Sequence, residues 1–169
     1  MRPKFEEILA ETGILAKLSE FRPVVIGTPP LGIALPSSDI DIACEAADLD
    51  RFLMRATEEF GHMAAFHSRS YEIRQRPAVI VNFEFREWPI EIFCQAIPVE
   101  QQMGVRHFLV ERRLLDLHPR LRSLVLEAKR GGLKTEPAFA YVLRLPGDPY
   151  EAMLSLDSLT DNELAALNF

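Results

Sequence analysis

Between Val24 and Cys44 the chain runs apolar, breaks, and runs apolar again, and that break restricts the fold more than any other feature. Residues 26–42 read Ile-Gly-Thr-Pro-Pro-Leu-Gly-Ile-Ala-Leu-Pro-Ser-Ser-Asp-Ile-Asp-Ile. Gly27-Thr28 ends a first hydrophobic run, a Pro- and Gly-rich loop follows, and the chain re-enters a strand with Asp39 and Asp41. Strand side chains alternate faces, so acids two apart project one way while Ile40 and Ile42 bury the other. Like charges so placed repel and lose solvation beside a core. A divalent cation between them resolves the conflict. Hard oxygen ligands with no His or thiol on that face suit Mg²⁺ or Mn²⁺ rather than zinc. The structural alternative is that both Asp residues accept local backbone N–H groups at a loop end.

A third acid stands in a similar setting. Pro89-Ile90-Glu91-Ile92-Phe93-Cys94 reads as a buried strand that Glu91 interrupts, and charged residues are rarely buried without a partner. Beside an Asp-x-Asp pair, Glu91 makes a three-carboxylate cluster for two metals, suited to activating an oxygen and neutralising phosphate charge. Its alternative is a salt bridge to a nearby Arg. Glu84, which shares a face with Asn82, is a rival third acid, but it sits near a turn where solvent satisfies it.

These residues resemble the signature of the nucleotidyltransferase superfamily of the DNA polymerase beta type. The match consists of Gly27-Thr28, ten residues, Asp39-Ile40-Asp41-Ile42, and then Ile90-Glu91-Ile92. In its small bacterial members the loop runs Gly-Ser-x-x-x-Gly and ends Ser-Asp-x-Asp, and here Gly27, Thr28, Gly32, Ser38, Asp39 and Asp41 fall in place. The resemblance covers roughly residues 23–95. It implies that Asp39, Asp41 and Glu91 hold the metals, with Glu91 orienting or deprotonating an acceptor hydroxyl. It also implies that Gly27, Thr28 and Ser38 line a bound nucleotide. The rest of the chain, with Gln102, Arg106-His107, residues 132–137 and residues 147–150, looks like a small bacterial family of that superfamily with no assigned reaction.

Three departures bear on the phosphates and the chemistry. The third acid is Glu where Asp is commoner, which changes reach. Leu31 stands where many small members carry an Arg. Pro29-Pro30 follows Gly27-Thr28, where relatives start a helix whose exposed N–H groups cradle a triphosphate, and Pro has no N–H.

The net charge of −6 opposes indiscriminate nucleic-acid binding, which rests on phosphate neutralisation. The charge is uneven. Residues 104–134 carry eight Lys or Arg against three Asp or Glu, a net +5 that leaves −11 elsewhere. That segment reads as solvated helix faces or as a source of phosphate contacts, with Arg106 and Lys134 the candidates. Arg106 and His107 follow Gln102 at helical spacing, and Lys134 follows Gly131-Gly132.

Cys44 and Cys94 lie an odd number of positions from the acids, so both thiols face the packed side as small hydrophobes. His62, His67 and His118 show no paired metal spacing. No apolar run nears the roughly 20 residues that span a bilayer, and residues 1–7 lack a signal-type stretch. A cytoplasmic protein is therefore expected.

The expected fold is α+β: a mixed sheet of about five strands with helices, followed by an all-helical C-terminal part. At 169 residues it reads as a single domain, with residues 1–97 the core and 98–169 a helical tail packed on it. Hydrophobic spacing predicts a helix over 3–20, strands at 24–27 and 40–44, and a helix from the Asp48 N-cap to Phe60. Further strands are predicted at 63–70, 78–85 and 89–94, the last two a hairpin through Arg86-Glu87. Helices follow over 99–117, 119–130, 136–145 and 149–156, with caps at Asp148 and Thr160. The expected activity is Mg²⁺-dependent transfer of a nucleoside monophosphate from an NTP to a hydroxyl on an unknown acceptor. The competing expectation is a catalytically silent module of the same fold that binds a ligand or protein partner. The acceptor and the oligomeric state are not written in the sequence.

Overall fold

The computed structural model describes residues 2–73 and 75–169. Two compact units divide the chain. One comprises the residues up to Pro29 together with Ser38–Gln102, and the other Pro30–Ser37 with Met103–Phe169.

The first unit is built on a five-stranded mixed sheet: β1 (Val24–Ile26), β2 (Ile40–Glu45), β3 (Ala64–Ile73), β4 (Arg76–Phe85) and β5 (Trp88–Gln95). The strand order is β1-β2-β5-β4-β3. Among the described residues only β2 and β5 run parallel; the other pairings are antiparallel. That arrangement follows from the connections. The two-residue link Arg86-Glu87 folds β5 back on β4, while β2 reaches β5 only after a long excursion through a helix and a hairpin. Both linking residues adopt positive φ, 47° and 68°, the backbone twist that a tight hairpin prefers.

One sheet face is apolar. Ile40, Ile42 and Cys44 of β2, Val79, Val81 and Phe83 of β4, and Ile90, Ile92 and Cys94 of β5 all enter the core. Helix α1 (Phe5–Thr12), helix α2 (Ile14–Lys17) and helix α4 (Leu49–Phe60) supply Ile8, Ile14, Phe52, Ala56 and Phe60 to the same cluster. Phe60 stacks on Phe83 with centroids 5.1 Å apart, and Phe52 meets Phe21 edge-on at 5.2 Å. Both thiols are free and buried here, and burial raises the Cys44 pKa to about 12.

The helix expected over residues 3–20 is broken. Gly13 takes φ 63°, its N–H closing on the Leu9 carbonyl, so α1 ends and α2 starts in a new direction before a 3₁₀ turn at Ser19–Phe21. Asp48 caps α4 as expected, accepting from the Arg51 N–H at 3.0 Å. The Pro-Pro segment still forms one helical turn, α3 (Thr28–Leu31). Proline is tolerated there because first-turn N–H groups have no partner inside a helix.

The second unit is helical: α5 (Met103–Leu117), α6 (Leu121–Arg130), α7 (Thr135–Val142), α8 (Pro149–Ser155) and α9 (Asp161–Ala165). Asp148 caps α8 through the Tyr150 and Glu151 N–H groups, and Thr160 and Glu163 form a capping box on α9. The 30–37 segment is held in this unit by two cations of α6. Arg122 donates to the Leu31 carbonyl at 2.6 Å, and Lys129 donates to the Ile33 carbonyl at 3.0 Å. No helix among the described residues is long and apolar enough to cross a membrane.

Candidate functional site

The second sheet face carries the acids, and strand register lines them up. Asp41 on β2 pairs directly with Glu91 on β5 in the parallel ladder. Glu91 pairs in turn with Asn82 on β4, and Asn82 with His67 on β3. Directly opposed residues share a face. Asp41, Glu91, Asn82 and His67 therefore form one polar row across the sheet, opposite the apolar face that holds both cysteines.

Three contacts define the Asp41 end. Gly27 takes φ 77° and packs so tightly on Asp41 that a Cβ there would overlap Oδ2. Only glycine meets both requirements at once. Thr28 Oγ1 donates to Ser38 Oγ at 3.0 Å, closing the neck of the loop just before Asp39. The Ser38 carbonyl accepts from the Arg2 guanidinium.

Glu91 is held from the other side. Asn82 Nδ2 donates to its Oε2 at 3.1 Å, and the side chain is half-buried. Tyr71, on the same face of β3, has its phenol pKa raised, first by burial and then by the Glu91 carboxylate, with Arg69 pulling the other way. The Arg69 guanidinium lies 5.7 Å from the Tyr71 ring centroid. The rival acid Glu84 is exposed beside the turn.

Asp39 departs from the simple alternation argument. Strand β2 begins at Ile40, so Asp39 lies in the irregular segment ahead of it and is exposed, and alternation does not fix its direction. Among the described residues no group of three or more His, Cys, Asp or Glu side chains gathers as a closed metal site. What the fold presents is a register-matched pair, Asp41 and Glu91, with Asp39 two residues upstream. All three offer carboxylate oxygen only, the donor chemistry of Mg²⁺ or Mn²⁺.

The two basic candidates belong to the helical unit. Arg106 donates through Nε to Asp157 at 2.8 Å, and Lys134 is the residue preceding α7. Gln102 is not on the Arg106 helix, as the spacing suggested. It is extended and buried, its amide donating to the Cys44 carbonyl at 2.8 Å. His107 is buried on α5, with Nε2 3.0 Å from the Tyr150 carbonyl oxygen. His118 places Nε2 2.8 Å from the Leu164 carbonyl oxygen. Tyr71 and Arg2 have no part in the sequence pattern, and Asn82 enters it only as sharing a face with Glu84. Asn82 had a usable signal, since it is the one amide in an otherwise apolar strand centre.

Comparison with solved structures places the fold. The chain aligns to the Cid1 poly(U) polymerase with MgGTP bound at TM-score 0.55 and 18% identity, covering 83% of this chain and 48% of that one. It aligns to a cytoplasmic RNA terminal U-transferase at TM-score 0.56 and 19% identity, covering 83% and 47%. A third match, the GLD-2/RNP-8 complex, gives TM-score 0.52 and 17% identity, covering 81% and 53%. The chain thus spans about half the length of the structures it matches, and at these identities the likeness establishes a nucleotidyltransferase fold. Comparison with curated proteins returns no match. Residues 7–156 match the family model described as Domain of unknown function (DUF4269), and the chain belongs to that family.

Proposed function

We propose that this protein transfers a nucleoside monophosphate from an NTP to a hydroxyl acceptor, with a divalent metal held by Asp39, Asp41 and Glu91. The observation that carries the proposal is the direct pairing of Asp41 with Glu91, next to a glycine that leaves room only for the Asp41 carboxylate. A bound Mg²⁺ or Mn²⁺ would supply charge neutralisation for the phosphates and the attacking oxygen.

The chain's own residues then divide the work. Gly27 and Thr28, at the start of the loop, face the phosphates with backbone N–H groups. Ser38 keeps the loop neck closed through its bond with Thr28. Glu91, steadied by Asn82, accepts a proton from the acceptor hydroxyl or orients it. Positioning and charge stabilisation supply most of the catalysis in such a site.

A second reading, a silent module of the same fold, draws on Pro29-Pro30 and Leu31 in the loop and on the lack of a closed three-acid cluster among the described residues. Pyrophosphate release from each of the four NTPs, with Mg²⁺ or Mn²⁺ and a panel of hydroxyl acceptors, separates the two. Metal-dependent release that Asp41→Asn abolishes supports the enzyme. Mn²⁺ binding without turnover of any NTP supports the silent module.

A further inference from the structure

A cation from the start of the chain is built into the acidic end of the sheet. The Arg2 guanidinium lies 3.4 Å from the centroid of the Trp88 ring, and it donates to the Ser38 carbonyl. Trp88 is buried at the start of β5, and its indole N–H donates to the Pro3 carbonyl at 2.9 Å. These contacts strap residues 2 and 3 onto β5 and hold the guanidinium against the residue that precedes Asp39. Burial lowers the Arg2 pKa, and the carboxylates of Asp39 and Glu87 oppose that shift, which places both acids within electrostatic reach. Ser38 is thereby gripped from two sides, its hydroxyl by Thr28 and its carbonyl by Arg2. A clamp needing only a hydrogen bond to a carbonyl has no use for a charge. A full positive charge stacked on an indole beside a carboxylate does electrostatic work as well.

We propose that Arg2 is a positioning residue of the acidic site: it clamps the Ser38–Asp39 turn and gives Asp39 a resident positive charge that any divalent cation must bind against. The inference rests on the metal-site reading above. Its consequence is that divalent affinity is set by Arg2 as well as by the acids, so removing the charge tightens binding.

The test is Mn²⁺ titration, followed by the electron paramagnetic resonance signal of free Mn²⁺, on wild type, Arg2→Gln, Arg2→Met and Arg2→Lys. Gln keeps an N–H donor for the Ser38 carbonyl without the charge, and Met keeps an apolar stem on Trp88, so folding of either suffices. The neutral variants are expected to bind Mn²⁺ about three- to tenfold tighter at low ionic strength. The gap should narrow in about 0.5 M KCl, where charges are screened over a few Å. Arg2→Lys should stay within about twofold of wild type, since it keeps the charge. Wild-type binding that the neutral variants leave unchanged or weaken overturns this inference and spares the metal site. Tightening in Arg2→Lys equal to that in Arg2→Gln also overturns it, because charge is then not the cause. Absence of Mn²⁺ binding in every protein, including the neutral variants, overturns both.

Discussion

Gly27 and Asp41 are fitted to each other: the glycine adopts φ 77° in the one place where a Cβ would overlap the aspartate Oδ2. Two separate penalties therefore meet in Gly27→Ala. Left-handed backbone costs a non-glycine residue about 1–2 kcal/mol, and the clash with Asp41 adds to it. Gly27→Ala is expected to lose about 2–4 kcal/mol by urea denaturation. In an Asp41→Ala background the Oδ2 overlap is gone and only the 3.3 Å approach to the Cβ at position 41 remains, so the same change should cost less, about 1–2 kcal/mol. Equal losses in both backgrounds would show that the two residues are not coupled.

Asn82 is the partner that keeps Glu91 in place, with a donor–acceptor distance of 3.1 Å. Asn82→Asp replaces that bond with a carboxylate directly opposite a carboxylate. The variant should lose about 1–3 kcal/mol at pH 7 through the lost bond and the new repulsion. In about 0.5 M KCl the loss should shrink, because salt screens the repulsion between the two acids. A loss in thermal or urea melts that salt leaves unchanged would mean that shape, not charge, dominates the pair.

Much of this architecture is readable without coordinates, and the exceptions have definite causes. Alternation in Val79–Phe85 and Ile90–Cys94 fixes which face is buried, since a one-residue slip would expose the whole set. The caps at Asp48, Asp148 and Thr160 are visible because short polar side chains there meet orphan N–H groups. Asp41 and Glu91 are equally legible as charges inside apolar strands. Their pairing is not, because the parallel register of β2 and β5 is set across the 42 intervening residues by tertiary packing. Gly13 misleads in the other direction. A lone glycine inside a helical pattern is commonly tolerated, and only the structure shows that it ends α1. Arg2 had no local signal at all, because its role depends on Trp88, 86 positions away.

The Arg86-Glu87 turn is strained by composition. Both residues hold positive φ, 47° and 68°, a conformation that Asn-Gly adopts more readily. Glu87→Gly should stabilise the protein by about 0.5–1 kcal/mol, the relief at one left-handed position less the entropy glycine loses on folding. The surface charge removed is worth little. A melting temperature that falls would show that Glu87 contributes more through its charge than its backbone costs.

Glu111 on α5 is 4% exposed, and its Oε1 has no hydrogen-bond partner among the described residues. Burial, reinforced by the Glu136 carboxylate, pushes its pKa well above the ordinary carboxylate range, and Lys129 offsets this only in part. The folded protein therefore holds a proton that the unfolded chain releases near pH 4.5. The sign follows from linkage. Stability from this group is complete below the unfolded value and is lost as pH rises toward the folded one, at up to about 1.4 kcal/mol per pH unit. Gln has the shape of protonated Glu and releases no proton. Glu111→Gln should match wild type near pH 4 and become progressively more stable above pH 4.5, as read from urea melts at fixed ionic strength. A difference that stays flat from pH 4 to pH 8 would mean that the wild-type carboxyl ionises in the fold at its ordinary value, and that a neighbour such as Lys129 satisfies it.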